Sequence, residues 1–113
     1  MSVVSTHVLD LARGCPAAGV AVRLERDDQG AWRELAHVQT DADGRVRTFL
    51  PPAEVLAPGR YRLGFETGTY FRAEGSSCFH PYIEIVFLVT DASQNYHVPL
   101  LISPYSYSTY RGS

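Results

Sequence analysis

Val20-Ala21-Val22-Arg23-Leu24-Glu25 alternates apolar and polar side chains residue by residue, and a period of two belongs to a strand with one buried face. Val20, Val22 and Leu24 are therefore expected in the core, with Ala21, Arg23 and Glu25 on the other face. Asp27-Asp28-Gln29-Gly30 supplies turn chemistry before a second strand runs from Trp32 to Thr40, so the pair reads as a β-hairpin. The same signature recurs along the chain. A second turn, Asp41-Ala42-Asp43-Gly44, leads into a strand over 45–50, in which Val46, Thr48 and Leu50 alternate with Arg45, Arg47 and Phe49. The arginines then face outward.

Pro51-Pro52 and Pro58-Gly59 bracket a loop, because proline removes a ladder donor and fixes its own φ. The strand over 60–66 has Tyr61, Leu63 and Phe65 on its apolar face, and residues 67–74 are the one stretch that suits a short helix. Segments 82–89 and 95–103 are the most apolar, 105–111 alternates Tyr105, Tyr107 and Thr109 with Ser106, Ser108 and Tyr110, and a first strand is expected over 4–10. About eight short strands separated by turn residues describe an all-β sandwich or barrel. With 113 residues and neither repeat nor low-complexity linker, a single domain over 1–113 is expected.

Acidic and basic residues are interspersed and the net charge is −2, so no one-signed field exists to attract nucleic acid or an anionic membrane. Residues 1–10 lack the features of a secretory signal, and nothing approaches the length of a membrane span. A cytoplasmic protein is the expectation. In that setting Cys15 and Cys78 are expected as reduced thiols. The histidines at 7, 37, 80 and 97 lack the spacing of zinc ligands, and there is no Gly-x-Ser-x-Gly elbow or phosphate-binding glycine loop. Any chemistry must come from residues assembled in space, without metal or cofactor.

Alternation suggests where two such residues point. Tyr96, Val98, Leu100 and Ile102 form the expected core row of their strand, which turns His97 outward with Pro99, Leu101 and Ser103. Arg45 is outward by the same argument. In Ser5-Thr6-His7-Val8-Leu9-Asp10 the alternation is weak, and the direction of His7 stays open.

The segment from Tyr96-His97-Val98-Pro99-Leu100 to Tyr110-Arg111-Gly112-Ser113 closely resembles the C-terminal signature of 5-hydroxyisourate hydrolases. Thr6-His7-Val8-Leu9-Asp10 with Gly14-Cys15-Pro16-Ala17 is similar to that family's first motif, and Thr40-Asp41-Ala42-Asp43-Gly44-Arg45 to its arginine-bearing turn. Tyr61-Arg62-Leu63, Thr67-Gly68-Thr69-Tyr70-Phe71 and Phe79-His80-Pro81 extend the resemblance over essentially the whole chain. It departs at Asn95, where many members have a further histidine, and at Cys15, a variable position.

The resemblance implies a transthyretin-like sandwich of two four-stranded sheets with one short helix. It implies a homotetramer, a dimer of dimers, with active sites where the dimers meet. It also implies hydrolysis of the small molecule 5-hydroxyisourate to 2-oxo-4-hydroxy-4-carboxy-5-ureidoimidazoline in urate catabolism, by histidine-assisted water attack without a covalent intermediate. The implied catalytic residues are His7, Arg45, His97 and Ser113, with Tyr110, Arg111 and Gly112 completing the substrate pocket. Two alternatives are a hormone carrier on the same fold and an adhesion module; the first would line its channel with apolar groups, and the second gives no reason for the terminal motif.

Overall fold

In a computed structural model the structure describes residues 3–51 and 54–113. The strands are β1 (Val4–Asp10), β2 (Cys15–Pro16), β3 (Ala21–Asp28), β4 (Ala31–Gln39), β5 (Arg45–Val46), β6 (Gly59–Phe65), β7 (Ile83–Val89), β8 (Tyr96–Ile102) and β9 (Tyr107–Thr109), with helix α1 (Thr67–Ala73) after β6. They form two sheets. One runs β4-β3-β6-β7; the other runs β2-β1-β8-β9, with β5 also paired to β1. The all-β two-sheet sandwich with one short helix is as expected from the sequence.

The apolar rows meet between the sheets. Val22, Leu24, Leu63 and Phe65 from one sheet and Val8, Leu100 and Ile102 from the other are fully buried, each such side chain stabilising the fold by about 1.5–3 kcal/mol relative to exposure. β3 and β4 close through Gln29 and Gly30, both at positive φ, and the Gly30 amide donates to Asp27 Oδ1 at 3.0 Å. Helix α1 buries Tyr70 and Phe71, and the Tyr70 hydroxyl donates to the buried Asp10 at 2.8 Å. That bond, and desolvation above all, push the Tyr70 pKa up to about 12.

Two expected strands are shorter than the alternation implied. Only Arg45–Val46 of 45–50 pairs with β1; beyond it Thr48 is exposed and Phe49 is buried. The reason is local: Thr48 Oγ1 donates to the Leu50 carbonyl at 2.9 Å and the chain bends away before Pro51, so the period of two stops with the ladder. Pro52, which with Pro51 was expected to open the loop, lies outside the described residues. Of 105–111, only Tyr107–Thr109 is strand, because Ser103 and Ser106 close a turn before it and Pro99 interrupts the ladder after it. Thr109 Oγ1 donates to the Pro99 carbonyl at 2.6 Å, and pairing resumes in the same register at His97 and Gly112.

Candidate active site

β8 lies parallel to β1 along its whole length, with Ser5 beside His97 and His7 beside Pro99. On the other edge of β1, His7 stands opposite Arg45 of β5. Along β1 the buried positions are Val4, Thr6, Val8 and Asp10, so Ser5 and His7 point away from the core. This settles the orientation that the sequence left open. Thr6 can occupy the core row because its hydroxyl donates to the Val98 carbonyl at 2.6 Å. Ser5, His7, Arg45 and His97 therefore share the outer face of one sheet.

The turn before β5 delivers Arg45. Asp41 Oδ1 accepts the backbone N–H groups of Asp43 and Arg45, each at 2.9 Å, and Gly44 completes the turn at φ 75°. The Gly44 carbonyl accepts the Val8 amide at 2.7 Å, fastening the turn to β1. Hydrogen bonding from the Arg45 amide, first, and from Asp43 holds the Asp41 carboxyl below its usual pKa. Because the folded pKa is the lower one, the contribution of Asp41 to stability is present above about pH 4 and lost as pH falls through the folded value. Asp41→Asn is expected to flatten the acid side of the stability curve below about pH 4, measured by urea melts from pH 2.5 to 7; an unchanged slope would remove this role.

A cleft of ≈ 340 Å³ opens on this outer face, lined by Ser5, Arg45, Arg47, Asn95, His97 and Ser113 among others. His97 is half-buried, and its Nδ1 lies 2.8 Å from Ser5 Oγ. Burial, the Arg45 charge and the neighbouring His7 lower its pKa, in that order of size, against a smaller opposing effect of hydrogen bonding with the Ser5 backbone. Asn95 Oδ1 accepts the Val3 amide at 3.1 Å, so its amide nitrogen is the group left to meet a ligand.

The other expected site residues fall into two groups. Ser113 lines the cleft. Gly112 lies against the imidazole itself: a Cβ there would come within 2.4 Å of His97 Cδ2 and 3.2 Å of Pro99 Cγ. Its part is to let the tail cover the ring. His7 does not line the cleft directly; its Nε2 lies 2.9 Å from the Asp43 carbonyl, and since a carbonyl only accepts, Nε2 carries the proton and Nδ1 is the free nitrogen. Tyr110 and Arg111 also lie outside the cleft lining. Arg111 is turned away from it, with its guanidinium 4.7 Å from the Tyr96 ring centroid and donating to Gln94 Oε1 at 3.0 Å and to the Asn95 carbonyl at 3.3 Å. Successive residues of an extended tail point to opposite faces, so Gly112 beside His97 sends Arg111 the other way, where it anchors the tail.

His37 is exposed on β4, and His80 packs edge-on between Phe79 and Tyr107. Neither belongs to the cleft. Among the described residues no group of three His, Cys, Asp or Glu side chains could hold a metal ion. No helix among them is long and apolar enough to cross a membrane.

The model of the HIUase/Transthyretin family matches residues 4–112. The chain belongs to this family. Within the HIUase/Transthyretin family it is 50% identical over 117 residues to a 5-hydroxyisourate hydrolase of Caulobacter vibrioides, covering 100% of both chains. Its fold is similar to the Klebsiella pneumoniae 5-hydroxyisourate hydrolase structure, with a TM-score of 0.87, 41% identity and coverage of 98% of this chain and 99% of that one. It is also similar to sea bream transthyretin in complex with thyroxine, with a TM-score of 0.90, 32% identity and coverage of 96% and 93%. The family thus contains both an enzyme and a ligand-binding protein, and the fold by itself does not choose between them.

Ser5, Arg47 and Gly44 were not singled out by sequence reasoning. The signal for Ser5 was present, since it shares the face of His7 two residues away. It could be used only once the neighbour of β1 was known to be β8.

Proposed function

We propose that this member of the HIUase/Transthyretin family is a hydrolase acting on 5-hydroxyisourate in urate breakdown. The observation that carries the proposal is the convergence of Arg45, His97 and Ser113 on one cleft of the outer sheet face. Two arginines and an imidazole suit a polar heterocycle rich in carbonyl oxygens better than an apolar hormone, which favours the enzyme over the carrier reading.

Hydrolysis of the activated ring amide requires an activated water, a stabilised oxyanion and a protonated leaving nitrogen. His97, kept neutral by its surroundings, takes a proton from water at Nε2 as the oxygen attacks the carbonyl carbon. The Arg45 guanidinium receives the developing negative charge. As the C–N bond breaks, the His97 imidazolium returns that proton from Nε2 to the ring nitrogen, while His7, a hydrogen-bond acceptor at Nδ1, orients the substrate and Ser113 holds its edge. The balance is one water consumed and one amide opened, giving 2-oxo-4-hydroxy-4-carboxy-5-ureidoimidazoline with no metal, cofactor or covalent intermediate. Assembly into a homotetramer, a dimer of dimers, completes the proposal: these polar groups face away from their own sandwich, and a facing copy would exclude water and strengthen their fields.

The test is spectrophotometric. With 5-hydroxyisourate generated by urate oxidase, addition of the protein is expected to accelerate loss of its ultraviolet absorbance well beyond spontaneous decay; a spontaneous rate defeats the proposal. Because the His97 pKa is lowered, the base form persists below the usual value of about 6.5. The acid limb of kcat/KM is therefore expected below pH 6.5 or so, and a limb above neutrality would take the base role from His97.

A further inference from the structure

We propose that Ser5 is the positioning residue for the His97 imidazole, fixing the proton on Nδ1 so that Nε2 is presented to the cleft as the acceptor. The inference rests on the reading of His97 as general base and names the group that prepares it. An imidazole can act as a base only through the nitrogen that lacks hydrogen, and the partner of the other nitrogen decides which one that is.

The Ser5 hydroxyl can accept from Nδ1–H or donate to a bare Nδ1, and the base reading of His97 assigns it the acceptor's part, because only then does Nε2 lack a hydrogen. Ser5 sits directly beside His97 in the parallel β1–β8 register, with its hydroxyl 2.8 Å from Nδ1. The other side of the ring is covered by the tail, so closely that no side chain fits at Gly112. With Nδ1 engaged and Cδ2 covered, Nε2 is the one nitrogen free to meet a water in the cleft that His97 lines. The charged and titratable groups facing the ring are Arg45 and His7, with Arg47 further along the lining and Arg111 turned toward Tyr96. No aspartate or glutamate lines the cleft among the described residues. The place of the third group that orients a catalytic base, often a carboxylate, is thus filled by a neutral hydroxyl.

A hydroxyl suits both stages of the reaction. In the resting enzyme Nδ1–H donates to Ser5 Oγ and the Nε2 lone pair is free. When Nε2 takes the proton from water, the imidazolium keeps the same Nδ1–H···Oγ bond, now charge-assisted and stronger. No proton passes to Ser5 at either stage. Its own hydrogen stays available to a ligand acceptor, since Ser5 also lines the cleft.

The decisive measurement is the imidazole ¹⁵N spectrum of His97 above its titration, recorded for the wild type, Ser5→Ala and Ser5→Thr alongside kcat and KM. In the wild type the Nδ1–H tautomer is expected to dominate. Ser5→Ala should mix or invert the tautomers and lower kcat about 10–100-fold, as for loss of groups that orient metal-binding imidazoles, with KM changed far less. Ser5→Thr, which keeps the hydroxyl and suits a strand, should restore both. A dominant Nε2–H tautomer in the wild type overturns the proposal even if no variant folds, and so does Ser5→Ala with unchanged tautomer and kcat while His97→Asn is inactive. Full activity in His97→Asn would instead remove the base reading, and the ¹⁵N spectra would still report whether Ser5 sets the tautomer.

Discussion

His97→Asn is expected to lower kcat/KM by about 10²–10⁴-fold, the range of a well-placed general base, with little change in melting temperature. The expectation of an intact fold comes from position. His97 lies on the outer face of β8, whereas the core row of that strand is Tyr96, Val98, Leu100 and Ile102, so the substitution opens no core cavity. Asparagine can also keep a hydrogen bond toward Ser5 while removing the nitrogen that accepts the water proton. Arg45→Ala is expected to act similarly on turnover by removing the charge that faces both His97 and the cleft. The check is steady-state decay of 5-hydroxyisourate together with thermal unfolding of each variant. If both variants keep the wild-type rate, the cleft is not where the chemistry occurs.

Gly44→Ala is expected to be the most disruptive single-methyl change in the molecule, and to damage stability and activity together. At φ 75° a side chain costs about 1–2 kcal/mol in the left-handed region. The added Cβ would also stand 2.4 Å from the Val8 carbonyl oxygen and 3.1 Å from the Ala17 amide nitrogen, contacts with backbone that cannot swing aside. Overpacking of that kind adds about 1–3 kcal/mol. At roughly 4–8 °C per kcal/mol for domains up to about this size, the melting temperature should fall by about 8 °C or more. If the chain yields instead, it yields at the turn that carries Arg45, so kcat/KM should drop even at temperatures where the variant is folded. Gly30→Ala is the control, because a Cβ there meets nothing within 4 Å and only backbone strain remains. Equal melting temperatures for the two variants would show that the Val8 contact carries no weight.

The strands and helix α1 were legible because each local pattern had a single buried face to satisfy. The pattern failed where something other than the ladder dictated direction. Phe49 follows a period of two outward on paper, yet the chain leaves β1 after Val46 and Phe49 turns into the core. The two-residue strand β2 has no period to read at all. In β1 the row that proves buried contains Thr6 and Asp10, polar residues that hydropathy assigns to solvent and that only their partners make tolerable inside: the Val98 carbonyl for Thr6, and the Tyr70 hydroxyl with the Ala12 and Arg13 amides for Asp10.

By itself the sequence determined the fold class, the outward direction of Arg45 and His97, and, through its terminal motifs, the family that it resembles. Those are properties of single segments, readable wherever neighbouring residues alternate. The tertiary structure decided what stands beside what: Ser5 and His97 are 92 residues apart in the chain and 2.8 Å apart in space. The parity of a strand states which face a side chain takes, whereas its neighbour on that face is set by strand order and register, which depend on burying both sheets at once.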